Sequence, residues 1–322
     1  MIFISGTKDI CMENTAVAIG KFDGLHLGHQ SLIRKINSYK GNKMTSVMLT
    51  FNYNPSYMLR GKALSLIYTS QERRILAGRL GVDVLIEYPF TQETAHMDPA
   101  EFVRDVLIRR LGARHIVVGE DFCFGRDRKG NTDLLMGMSL PVGYKAHICP
   151  KVQTILEQDI GENHCGDEID ISATLIRQAI LEGKMEAANR MLGIPYTIIG
   201  TVVHGREIGR TIGMPTANLE PEETKLLPPN GVYASTAVID CKTYPAVTNI
   251  GRNPTVAEHQ KPRAETYIYG FDGNIYGRQI EVHLHHFARP EQRFENLDAL
   301  KAQMHQDMKN SLAYMEKIKI IG

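Results

Sequence analysis

Short apolar runs alternate with segments of helical apolar spacing along the first half of the chain. Val17–Ile19 is apolar and stops at Gly20; beyond a glycine-rich stretch, Leu32, Ile33, Ile36 and Tyr39 recur at helical intervals. This predicts strand, tight turn, helix. Ser46–Phe51 (SVMLTF) and Val82–Tyr88 (VDVLIEY) read as strands, separated by a helix that starts after Ser70 and carries Arg73, Arg74, Ile75, Leu76 and Leu80. Pro99–Leu111 follows as a helix with Phe102, Val103, Val106 and Leu107 on one side, and His115–Val118 as a further strand. Alternating strands and helices predict a parallel sheet with both faces covered, whose ligand lies beyond the carboxyl ends of the strands.

From Ala173 to Leu192 two helices are expected with a break at Gly183, and Gly193-Ile-Pro195 ends them. The pattern then changes. Tyr196–Val203, Tyr233–Ile239, Tyr244–Thr248, Glu265–Tyr269 and Gln279–His285 are short strands between Gly, Pro and Asp-Gly turns, with Phe271–Asn274 a hairpin signal. A small barrel or sandwich is expected, then a helix over Asn296–Lys317 with Leu297, Leu300, Met304, Met308 and Leu312 as its apolar stripe. The domain boundary falls at 183/184.

With 322 residues, about two domains are expected. A net charge of +1 argues against a dedicated nucleic-acid binder. No apolar run approaches the roughly 18 residues of a membrane span, and the opening MIFISGTKD lacks the basic n-region of a signal peptide. The five cysteines are scattered without a CxxC, which suits free thiols in a reducing cytoplasm.

Candidate chemistry sits at the strand ends. After Gly20 come Phe22, Asp23 and Gly24, then His26-Leu-Gly-His29 at the helix entrance. Residues three apart share a helix face, and free N–H groups at the helix start favour a phosphate. A metal pair usually has a third ligand and i,i+4 spacing, so the interleaved glycines suit phosphate better. Gly119–Gly130 (GEDFCFGRDRKG) joins Asp121 and the aromatics Phe122 and Phe124 to Arg126, Arg128 and Lys129. Asp170–Arg177 (DISATLIR) places Ser172 as an N-cap. In the second half, Gly205, Gly209 and Gly213 with Arg206 and Arg210 form a basic glycine loop ending in Pro215-Thr216-Ala217-Asn218. On an extended chain Thr216 and Asn218 point one way, both neutral oxygen donors suited to Mg²⁺; alone, a glycine-rich turn with surface arginines is the simpler reading. His283 and His285 share a strand face, but no third ligand accompanies them, and with His286 they read as a solvated face.

The string G-x-F-D-G-x-H-x-G-H resembles the nucleotidylyltransferase signature in the form carried by the bacterial bifunctional riboflavin kinase/FMN adenylyltransferase (FAD synthetase) family. The resemblance runs through the chain: GEDFCFG, DISATLIR, P-T-A-N, LPPNGVY (227–233), NIGRNPT (249–255), Glu265 in AETYIYGFDG, and FARPEQRF (287–294). It implies an α/β Rossmann-like nucleotidylyltransferase domain over 1–183 and a β-barrel riboflavin kinase domain with a C-terminal helix over 184–322. The implied reactions convert riboflavin to FMN with ATP and Mg²⁺, then FMN to FAD with release of pyrophosphate. Carried over residue by residue, the adenylylation site takes His26, His29 and Arg177, with Gly20, Phe22, Asp23, Gly24, Ser172 and Thr174 toward ATP. The kinase site takes Glu265 as general base, with Gly205, Gly209, Arg210, Gly213, Pro215, Thr216 and Asn218 toward ATP–Mg²⁺. Flavin contacts fall on Asn52, Asp121, Phe122, Phe124, Arg128, Arg289 and Glu291. The chain departs from the family pattern at Ala173, a serine there, and at Asn54, a histidine there; the alternative is therefore a riboflavin kinase with a weakened or ligand-sensing N-terminal domain. A cytoplasmic monomer or weak homo-oligomer is expected, with apo-flavoproteins as transient recipients and neither nucleic acid nor membrane as partner.

Overall fold

The computed structural model describes residues 1–52, 65–205, 214–252 and 262–319. The chain packs as two compact units: Met1–Gln153 with Asp170–Ser172, and Thr154–Ile169 with Ala173–Gly322.

The first unit holds β1 (Ile2–Ser5), β2 (Thr15–Ile19), β3 (Thr45–Phe51), β4 (Val84–Tyr88), β5 (Ala113–Gly119) and β6 (Lys145–Cys149) in one parallel sheet, ordered β1-β4-β3-β2-β5-β6. Every residue of β2 and β4 is buried, as a sheet covered on both faces requires. Helices α1 (Leu27–Asn37), α2 (Ser70–Arg79), α3 (Gln92–His96) and α4 (Thr132–Val142) accompany it. Phe102–Arg110 is wound as a π-helix and buries the four apolar residues expected of that segment, Phe102, Val103, Val106 and Leu107. Thr69 and Glu72 start α2 with a reciprocal capping box, one residue before the expected start. From β2 the chain builds β3 and β4 on one side and β5 and β6 on the other. The order thus reverses at β2, the position beyond whose carboxyl end open α/β sheets bind their ligands. A short ribbon of β7 (Gln153–Ile155) and β8 (Glu168–Asp170) precedes the next helices.

In the second unit α5 (Ala173–Leu181) and α6 (Met185–Leu192) flank the expected break, where Gly183 takes φ +74°. Six antiparallel strands follow: β9 (Tyr196–Thr201), β10 (Thr216–Leu219), β11 (Gly231–Ile239), β12 (Lys242–Arg252), β13 (Pro262–Ile268) and β14 (Gln279–Pro290), ordered β10-β13-β12-β11-β14-β9. Val203, just past β9, bridges back to Asn218 of β10 with N–H···O 2.9 Å, which joins the two edges as a barrel. The fully buried hydroxyls of Ser235, Thr248 and Thr266 satisfy one another across three strands at 2.7 and 2.9 Å.

Three expectations are corrected here. The Phe271–Asn274 signal does not make a hairpin, because β13 and β14 are not neighbours; the tight hairpin joins β11 to β12 through Asp240 and Cys241, at φ +50° and +62°. The last helix, α7 (Leu297–Lys317), is capped by Asn296 but does not dock on the expected stripe. It buries Asp307, Ser311 and Met315, while Leu297 is 57% exposed. Arg289 grips Asp307, and Ser311 Oγ donates to the Ala246 carbonyl at 3.1 Å, so the docking is polar. Nor are the three histidines of β14 a solvated face. His285 is buried against Thr236 Oγ1 at 3.0 Å, His286 meets Glu186 of α6 at 2.6 Å, and His283 meets Glu281 at 3.3 Å. Each is engaged separately, which removes the chelate reading.

Candidate active sites

Beyond β2 the backbone is unusual. Phe22, Gly24 and Leu25 take φ of +48°, +84° and +45°, and the side chains of Phe22 and Leu25 are 0 and 1% exposed. Non-glycine residues in this region are strained, and such strain gathers at functional sites. The turn is tied from both sides: Gln30 Nε2 donates to the Leu25 carbonyl at 3.0 Å, and Asp23 Oδ1 accepts from the Ile67 N–H at 3.0 Å. Asp23 thus fixes the segment before α2, and Phe22 packs beneath a catalytic candidate, 5.1 Å from the His29 ring. Gly20 leaves the space in which a Cβ would sit 3.4 Å from the Phe22 ring.

His26 is the N-cap of α1 without capping through its side chain, which frees the ring to stack on His29, centroids 3.7 Å apart and planes 29° apart. Both Nδ1 atoms are buried with no hydrogen-bond partner among the described residues. Burial pushes His26 down to about 4, against the opposing pull of Asp121. His29 lies well below its ordinary value, through burial and then through the neighbouring His26. Both rings are therefore neutral at pH 7, with unmet polar atoms that a phosphate would satisfy.

The ends of β3 and β5 share this edge. Asn52 Oδ1 accepts the Phe90 N–H at 3.0 Å. After β5, Phe122 and Phe124 stack at 5.3 Å, but Phe124 is only 8% exposed and packs on Phe102 in the core. The expected open stacking surface is therefore confined to Phe122. Arg128 is exposed, with φ +57°. Ser172 belongs to the first unit; Thr174 and Arg177 lie on α5 of the second, the former exposed and the latter half-buried.

On the barrel, exposed Pro215 leads into β10, which carries Thr216 and Asn218 opposite Tyr267 and Glu265 of β13. Asn218 is 4% exposed, donates from Nδ2 to the Thr216 carbonyl at 3.2 Å, and has an Oδ1 with no partner among the described residues. Gly205 lies against it, since a Cβ at 205 would overlap the Asn218 amide. Gly209, Arg210 and Gly213 lie outside the described residues, as does Asn54. On its other side Glu265 faces Asn249 of β12, whose Nδ2 donates to Glu291 at 3.2 Å. The Arg289 guanidinium, expected at the flavin, is held by Asp307 through Nε at 2.9 Å and Nη2 at 2.6 Å. Asn249 and Asp307 carried no assigned role in the sequence reading; the NIGRNPT resemblance was the available signal for the first, and none marked the second.

A parallel α/β sheet with a strained, histidine-bearing turn at its switch point, followed by an antiparallel barrel, defines a two-module protein of nucleotide-handling type. The FAD synthetase family model matches residues 8–162 and the riboflavin kinase family model residues 192–315. Proteins described as bifunctional riboflavin kinase/FMN adenylyltransferase match over nearly their whole length. That of Listeria monocytogenes is 34% identical, covering 95% of this chain and 94% of its own. That of Bacillus subtilis gives the same three figures, 34%, 95% and 94%. That of Escherichia coli is 33% identical over 92 and 91%. A crystal structure from Streptococcus pneumoniae described as a macrolide-efflux protein superposes with TM-score 0.81 at 32% identity, covering 97% of this chain and 99% of that one. Among the described residues no helix is long and apolar enough to cross a membrane. The chain belongs to the bifunctional riboflavin kinase/FMN adenylyltransferase family.

Proposed function

We propose that this chain makes FMN from riboflavin and FAD from FMN, consuming one ATP in each reaction. The observation that carries it is the presence of both family domains, in order, on one chain whose relatives are named for both activities over their full length. The adenylyltransferase function is assigned to 1–183 and the kinase function to 184–322.

In the kinase reaction the riboflavin 5′-hydroxyl oxygen attacks the γ-phosphorus of ATP, and ADP leaves. An alcohol must lose its proton, and Glu265 takes it. Thr216 and Asn218 would hold Mg²⁺, which supplies charge neutralisation at the phosphates when bound. The buried, unpartnered Oδ1 of Asn218 supports this, being a hard donor left without a proton to accept.

In the second reaction an FMN phosphate oxygen attacks the α-phosphorus of a second ATP, and pyrophosphate leaves. That oxygen is already anionic, so no base is required; alignment and stabilisation of phosphate charge suffice. Neutral His26 and His29 each offer one ring N–H, with Ser172, Thr174 and Arg177 assigned to the same phosphates. We place the protein in the cytoplasm as a monomer or weak homo-oligomer that hands FMN and FAD to apo-flavoproteins.

Incubation with riboflavin, ATP and Mg²⁺, followed by separation of the flavins, tests the reading. FMN and FAD together are expected. FMN alone would assign the Ala173 and Asn54 departures a functional loss in the first domain. Neither product would overturn the proposal.

A further inference from the structure

His26 begins α1 without the support an N-cap residue usually has. Such a residue ordinarily accepts a helix N–H with its side chain; the His26 ring accepts none and stacks on His29 instead. Its backbone, at φ −63° and ψ 171°, follows directly on the left-handed Leu25 at φ +45°. The φ and ψ of a residue are set by the peptide planes on its two sides, and together they aim its side chain. At His26 both planes are held by one residue. The Gln30 N–H donates to the His26 carbonyl at 2.9 Å, while the Gln30 side chain turns back and donates from Nε2 to the Leu25 carbonyl at 3.0 Å. Leu25, His26 and Gln30 are all buried, so bulk water does not compete for these carbonyls. The Leu25 carbonyl belongs to the strained residue, whose left-handed backbone costs about 1–2 kcal/mol; the side-chain bond therefore holds the plane most disposed to turn. Gly28 completes the seat, since a Cβ there would lie 3.1 Å from the His26 ring.

We propose that Gln30 is a positioning residue of adenylyl transfer: by binding the carbonyls on both sides of the His26 Cα, with side chain and main chain, it fixes the direction in which the His26 ring meets His29 and the reacting phosphates. This rests on the two histidines forming the adenylylation site. An amide suits the task because it donates to a buried carbonyl without bringing a charge beside two neutral imidazoles.

The test is Gln30→Met in the full chain. Methionine resembles glutamine in length and helix propensity but has no N–H to donate. Adenylylation of supplied FMN is measured as kcat and as KM for FMN and for ATP, with riboflavin phosphorylation beside it, and the His26 and His29 ring signals are followed by NMR. Adenylylation kcat is expected to fall about 10–100-fold, between the scale of one lost hydrogen bond and that of a misplaced reacting group. Both KM values should stay within about twofold, as befits an interaction made in the transition state. The ring signals should shift as the stack is released, and kinase turnover should stay at the parent rate. A parent-like kcat overturns the proposal, even in a variant less stable to denaturant. So does a fall in kcat with unmoved ring signals, or a rise in KM in its place. Gln30→Leu, which also lacks a donor, is read in the same way if Q30M does not fold. His29→Ala separates the two ideas: if it adenylylates FMN at the parent rate, the site itself is wrong; if it is inactive while Q30M behaves as parent, only the role of Gln30 fails.

Discussion

The turn after β2 and the face around Asn218, which we propose as the two ATP sites, manage charge in opposite ways. The first is imidazole-rich: two stacked rings, both held neutral by burial, on a strained backbone. The second is built from oxygen donors on regular strands, with a carboxylate flanked by amides. The difference follows from the nucleophiles. A phosphate oxygen arrives with its charge, so its site offers donors and no base. An alcohol arrives with a proton, so the site proposed for it carries a carboxylate and neutral oxygen donors. Two ATP-dependent transfers thus call for two unlike constructions.

The sharpest way to break this contrast is to remove the proposed base. Glu265→Gln should lower riboflavin phosphorylation by about 10²–10⁴-fold and leave FAD formation from supplied FMN intact; a parallel fall in both activities, measured by separating the flavins, would mean the sites are not independent. Next comes His29→Ala, expected to lower adenylylation by about 10²–10³-fold while kinase turnover survives. If the variant adenylylates FMN at the parent rate, the proposed adenylylation site has been misplaced.

A smaller effect concerns how the second unit is held together. Asp307→Ala leaves Arg289 without its carboxylate and should destabilise the barrel and α7 by about 3 kcal/mol, read as a lowered denaturant midpoint with adenylylation retained at low denaturant. An unchanged midpoint would show that α7 is held by other contacts.

The mildest prediction is acid sensitivity. Burial holds His26 down to about 4 and His29 well below its ordinary value, so between pH 6.5 and about 4 the unfolded chain binds protons that the folded first unit does not. Stability is then complete above pH 6.5 and falls as pH drops, by at most about 1.4 kcal/mol per pH unit for each ring. His285 contributes in the same direction in the second unit, lowered by burial to about 4. The first unit also holds His115 and His147, both lowered chiefly by burial, so it should soften more steeply than the second between pH 6.5 and 4.5, as hydrogen exchange resolved by unit would show. Equal slopes would remove the histidine pair as the cause.

The sequence signals that succeeded were local. The strand, turn and helix of residues 17–37 were legible because β2 is buried throughout and glycines and histidines punctuate its end. The segment 99–111 was legible because its four apolar residues face one core. Signals that depend on a distant partner were not. The docking of α7 is specified by Asp307 with Arg289, eighteen positions back, and by Ser311 with Ala246, so no apolar stripe announces it. The burial of His285 against Thr236 and the pairing of His286 with Glu186 of α6 are not visible in the alternation of β14. Edge strands β1 and β6 escaped notice because an edge is half-exposed and lacks a continuous apolar run. At the candidate sites, motifs named the residues proposed, but only register and packing showed Asn249 beside Glu265 and Phe124 turned into the core.

The left-handed turn at Phe22 and Leu25 has a consequence for reading mutational scans. Each residue adopts a backbone that costs about 1–2 kcal/mol, and each buries a side chain that contributes about 1.5–3 kcal/mol, so the same positions create the distortion and offset it. A screen for abundance would score them as ordinary core residues, because their loss unfolds the turn before activity can be measured. Residues that shape the turn before the histidines would thus be catalogued under stability, and the candidate motif would look two positions shorter than it is.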